Sequence, residues 1–150
     1  MNQEAIMKRR MVTAIILCIV TIIGMLVFIG LYIDETKRVQ ETYKAQYHTS
    51  LKHVSDDVTS YLSAEGDLEM RYTRLVSDMS NAASFAFLLD GFTEKQIIVN
   101  ELATCLLKYP EQMRERLEDV KKAVDDMQQE LDKGYEEAKE IVDSINKKGN

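Results

Sequence analysis

Tryptophan is missing from this sequence, proline occurs once and glycine only six times in 150 residues. A sandwich or barrel of short strands needs a turn every few positions, and a chain so poor in turn formers cannot supply them. Glu, Lys, Met, Leu and Ala are plentiful instead. These residues lose least freedom on entering a helix, so the expected fold class is all-α. Two cysteines, Cys18 and Cys105, lie in different segments and exclude an internal disulfide framework. Cys105 reads better as a small buried apolar residue than as a redox thiol or an intermolecular bridge.

Patterns that carry chemistry are equally scarce. The only histidines, His48 and His53, face different directions on a helix, and no HExxH, ExxH or CxxC spacing accompanies them. A GxSxG elbow, a Walker loop and a glycine-rich phosphate cradle are all absent. The neighbouring carboxylates Asp56 and Asp57, and Asp125 and Asp126, do not converge on one point along a helix and read as solvated faces. No catalytic, cofactor or metal site is expected, and the chain does not read as an enzyme.

What is present begins with Met11–Ile33, 23 residues without a charge. As a helix rising about 1.5 Å per residue this run reaches roughly 34 Å, enough to cross a bilayer. It is too long for the core of a cleavable signal and leaves through Leu31, Tyr32 and Ile33 rather than through small residues. Lys8, Arg9 and Arg10 abut one end, and Asp34 and Glu35 open the other. The positive-inside rule then places the N-terminus in the cytoplasm of a single-pass cell-membrane protein. The expected layout is a cytoplasmic head over 1–10, a transmembrane helix over 11–33, a helical stalk over 34–46 and an extracytoplasmic bundle over 47–150. Subtracting the +2 of Glu4, Lys8, Arg9 and Arg10 from the total of −6 leaves −8 for the part after the span. Such a surface repels nucleic acid and acidic lipid.

After the span, apolar residues recur with the 4, 3 spacing of helices packed on helices. Tyr47, Leu51, Val54, Val58 and Tyr61 mark a first seam. Gly66 is placed to close that helix in a left-handed conformation and Asp67 to cap the next. The second seam runs through Leu68, Tyr72, Leu75, Met79, Ala82, Ala86 and Leu89 and ends at Asp90 and Gly91. Thr93 with Gln96 then forms a capping box, with Phe92 and Ile97 as a hydrophobic staple. The third helix, about Glu94 to Lys108, confines its polar residues to the line Gln96, Asn100, Thr104 and Lys108, so its wide apolar face must be buried deeply or meet a partner. Pro110 either starts a fourth helix or kinks a continuous one. The 4, 3 alternation then persists from Met113 to Ile145, predicting a coiled-coil-like last helix of 37 residues over Pro110–Asn146. Gly134 interrupts that seam and marks either a bend or a close backbone approach.

These patterns point to an antiparallel bundle of three to four helices held at a membrane. In organisation alone it is similar to the front half of a four-helix-bundle sensor such as a chemoreceptor, although no second apolar span occurs in these residues. The leading functional expectation is a non-enzymatic interaction or scaffold module. It would form homo-oligomers or dock another helical protein through its last two helices, with Ile98, Leu102, Cys105, Leu106, Val120, Val124, Met127 and Leu131 as the interface. One alternative is a ligand-sensing bundle acting through a partner, with Arg71 contacting an acidic ligand. Another is a bitopic coiled-coil component of a cell-envelope or lysis machine.

Overall fold

A computed structural model describes residues 3–147, and among them every regular element is a helix. In chain order these are α1 (Gln3–Leu62), α2 (Leu68–Phe87), α3 (Thr93–Lys108), α4 (Pro110–Arg114), α5 (Leu117–Gln129) and α6 (Tyr135–Ser144). The chain divides into two compact units, Met1–Val39 and Gln40–Asn150, with α1 contributing to both.

In the first unit α1 is long and apolar enough to cross a membrane, and the side chains from Met11 to Ile33 are exposed all round. Its threonine hydroxyls are already satisfied: Thr13 Oγ1 donates to the Arg9 carbonyl and Thr21 Oγ1 to that of Leu17, each at 2.9 Å. A helix with this inventory leaves no backbone or threonine hydroxyl group short of a partner when water is removed.

The second unit is a helical bundle whose core follows the seams read from the sequence. Tyr47, Leu51, Val54 and Val58 of α1 are buried, as are Tyr72, Leu75, Met79, Ala82 and Ala86 of α2. Packing begins earlier than Tyr47, because the Gln40 amide already bonds the chain at Leu88 and Asp90, and Tyr43 lies against the core. Pro110 opens α4 at its first position, where its missing N–H leaves no bond unmade.

Four local expectations are corrected. The left-handed residue between α1 and α2 is Asp67 (φ 57°), not Gly66, and its side chain makes no cap bond. Asp tolerates this region better than most residues, so the turn needs no glycine. The start of α3 falls where expected, but by other means. Phe92 occupies the cap position without a side-chain cap bond, and its ring packs edge-on against Tyr47 and Tyr135 instead of stapling to Ile97.

The largest correction concerns the last helix, which is not one rod of 37 residues but α4, α5 and α6. Glu130 is extended (φ −137°, ψ 114°) and Gly134 is left-handed (φ 82°), so the chain reverses between them. The Gly134 backbone lies so close to the Ala123 carbonyl that a Cβ there would stand 2.2 Å from its oxygen. The bend and the close approach are therefore one feature, and α6 folds back to pack on α5 and α3. Far from being a loose tail, α6 buries Tyr135, Ala138, Ile141 and Val142. Lys95 of α3 secures the reversal: its Nζ donates to the Leu131 carbonyl at 3.2 Å, pairs with Asp132 and sits over the rings of Phe92 and Tyr135 at 5.0 and 5.2 Å.

Candidate functional site

Folding α6 back changes what is available to a partner. Leu102, Cys105, Leu106, Val120, Val124 and Met127, expected to form an outward interface, are buried in this chain's own core, and Ile98 and Leu131 pack partly buried against it. The wide apolar face of α3 is thus covered by α2 on one side and α6 on the other. Burial also raises the pKa of the free Cys105 thiol, which suits a packing role better than a reactive one.

Arg71 is likewise engaged within the chain. Its guanidinium donates to the Gly66 and Ser60 carbonyls at 3.3 and 3.4 Å and to the Ser60 hydroxyl, tying the start of α2 to the end of α1. Arg114 is held by both carboxylate oxygens of Glu69 at 2.7 Å and lies over the Tyr72 ring at 4.9 Å. The tyrosines that line the core are similarly occupied. Tyr72 donates to the Leu106 carbonyl at 2.8 Å, and the Tyr47 and Tyr135 hydroxyls meet at 3.2 Å. Burial pushes the pKa of Tyr72 and of Tyr135 up to about 12, so both stay neutral at physiological pH.

What the bundle leaves open is a groove of about 930 Å³ between α2 and α3. From α2 it is lined by Ser80, Ala83, Ser84, Phe87 and Leu88, and from α3 by Thr93, Gln96, Ile97, Asn100, Thr104 and Leu107, with Ala103 on its floor. No lining residue is charged. Phe87 (75% exposed), Leu107 (66%) and Ile97 (55%) stand out from it. Burying one such side chain is worth about 1.5–3 kcal/mol, so exposed clusters of them mark docking faces.

The uncharged character extends beyond the groove. Between Leu75 and Leu89 the only charged residue is Asp78, in a chain that is 29% charged, so about four would be expected over 15 residues. Ser77 and Asn81 continue the exposed neutral surface of α2. This gap in charge was visible in the sequence. The regularity of the seam around it drew attention to the buried side of α2 and away from its outer side.

Hydrogen bonds in the groove are mostly closed within the chain. Ser80 Oγ donates to the Val76 carbonyl, Ser84 Oγ to that of Ser80 and Thr104 Oγ1 to that of Asn100, all at 2.8–2.9 Å. Gln96 closes one end by donating from Nε2 to the Leu89 carbonyl at 2.9 Å and to that of Phe87 at 3.5 Å. Gln40 does the same from α1, donating to the Leu88 carbonyl at 3.2 Å and accepting from the Asp90 N–H at 3.0 Å. The last carbonyls of a helix have no partner of their own, so these two glutamines supply the C-terminal cap that α2 lacks in its own side chains. Gln96→Ala is expected to destabilise the bundle by about 1 kcal/mol in chemical denaturation. An unchanged midpoint would show that water caps α2 equally well.

Among the described residues no three His, Cys, Asp or Glu side chains gather as metal ligands. Compared with known proteins, the chain matches no family model, no curated protein and no solved structure. The α2–α3 groove is the candidate functional site on its geometry alone.

Proposed function

We propose that the chain is a membrane-anchored, non-enzymatic helical interaction module that docks a helical partner through the outer face of α2 and α3. The observation that carries this reading is the uncharged groove with Phe87, Ile97 and Leu107 exposed along it. The anchor is the apolar part of α1, whose exposed Ile, Leu, Val and Phe side chains call for an apolar phase. Lys8, Arg9 and Arg10 keep the N-terminus in the cytoplasm, which puts the bundle on the far side.

Relative to the interface expected from sequence, docking moves from the apolar stripe of α3 and the last helix to the edge where α3 meets α2. The stripe itself is used up by α6. Binding a small acidic ligand through Arg71 finds less support, because that guanidinium already has three acceptors.

A photo-crosslinking residue in place of Ile97, in the full-length chain in cell membranes, tests the docking face. It should give an adduct of defined mass that the same residue at Glu137 on α6 does not give. Adding Ser84→Glu, which brings a charge into the groove, should abolish the adduct while the helical circular dichroism is kept. Equal labelling from both positions, or none from either, would remove the α2–α3 face as a docking site.

A further inference from the structure

We propose that the occupant of the α2–α3 face is a second copy of this chain, so that the protein is a two-fold dimer of bundles; this deepens the docking reading and rests on it. Charge is the first argument. The part of the chain after the apolar run carries −8, and two such surfaces repel one another wherever carboxylates face each other. On the α2–α3 face they do not. The groove lining is uncharged, and Ser77 and Asn81 extend the neutral surface along α2. The acidic residues bordering the groove, Glu94 and Glu101, lie on the outer edge of α3. A two-fold axis running along the helices sets α3 of one copy beside α2 of the other, so those carboxylates meet this neutral edge and not one another.

Desolvation is the second argument. A buried hydroxyl without a partner is costly, but Ser80, Ser84 and Thr104 each keep a bond to their own helix when covered. Asn100, midway along the groove on α3, is different: its side-chain amide has no bond within the described residues. Near such an axis it faces its own counterpart, and an amide pair satisfies one donor and one acceptor on each side.

Size is the third. Helices of 20 and 16 residues are about 30 and 24 Å long and lie about 8–10 Å apart, so the face offers roughly 500 Å² per copy and about 1,000 Å² in all. That is the small end of specific interfaces. The dimer is therefore weak in dilute solution and is favoured when both copies are held in one membrane, where tethering raises the effective concentration.

The test uses the full-length chain in lipid vesicles. In a Cys18→Ala background, with Cys105 buried, Asn100→Cys under mild oxidation should give a disulfide dimer at twice the 17.2 kDa chain mass. Glu137→Cys, on the exposed side of α6, should not. Failure of Asn100→Cys to cross-link in a folded protein, or equal cross-linking at both positions, overturns the dimer. The Ile97 photo-adduct separates the two readings. At twice the chain mass it supports the second copy. At any other mass it overturns the second copy and leaves the docking face standing, and its absence removes both.

Discussion

Gly134→Ala is expected to lower the stability of the bundle by about 3 kcal/mol or more, a large part of the 5–15 kcal/mol that keeps a domain of this size folded. Two costs add. Gly134 has φ 82°, where an L side chain costs about 1–2 kcal/mol. Its added Cβ would also stand 2.2 Å from the Ala123 carbonyl oxygen and 2.9 Å from the Met127 backbone nitrogen. Both neighbours are main-chain atoms of α5, so no rotamer change relieves the clash, and overpacking of that kind costs about 1–3 kcal/mol. Gly91→Ala supplies the control. It too is left-handed (φ 69°), but nothing lies within 4 Å of its would-be Cβ, so it should lose only the conformational share. Denaturation followed by the near-ultraviolet signal of the packed tyrosines measures both. Equal losses at Gly91 and Gly134 would mean that α6 does not lie against Ala123.

Gly134 also shows why the sequence revealed the seams and concealed the path of the chain. The spacing from Met113 to Ile145 is the same whether one helix continues or two helices meet at a reversal, provided that the second re-enters with its apolar face towards the same core. Here Met113, Leu117, Val120, Val124 and Met127 are buried on one side of the turn, and Ala138, Ile141 and Ile145 on the other. Reading a single rod had a consequence for the site. With α6 drawn out along α5, the apolar face of α3 had nothing to cover it, and a partner was called upon to bury Leu102 and Leu106. The chain itself does this, through α6. Side chains whose partners are far away in sequence were harder still to place. Lys95 gives no hint of Asp132, nor Gln40 of Leu88 and Asp90. The neutral outer side of α2 is the exception, since its missing charges are a local property of 15 residues.

Asp57 was misread for the same reason, and its burial carries the second large prediction. Asp56 and Asp57 read together as a solvated face because neighbouring carboxylates on a helix do not converge, yet only 6% of the Asp57 side chain is exposed. Asp125 departs in the same direction, held by Ser55 and Lys121, but it stays partly open. Burial and the neighbouring Asp78 carboxyl push the Asp57 pKa up to about 6, against the opposing pull of Arg74, 3.0 Å away, and of His53. With both carboxyls ionised neither can donate, and Asp57 Oδ2 is left buried without a hydrogen bond. A proton on Asp57 supplies the missing donor. Because the folded pKa lies above the ordinary value of 3.8, the folded state holds this proton over a range in which the unfolded chain releases it. Asp57 therefore favours folding at low pH, and that contribution is lost as pH rises from about 4 through about 6, on the order of 3 kcal/mol in total. Asp57→Asn places a permanent donor beside Asp78 and removes the titration. The variant should melt above the parent at pH 7.5 and close to it at pH 5, so that the gap between the two widens as pH rises. A gap that stays constant with pH, or one that closes on going to pH 7.5, would show that Asp57 is ionised and well solvated in the folded chain.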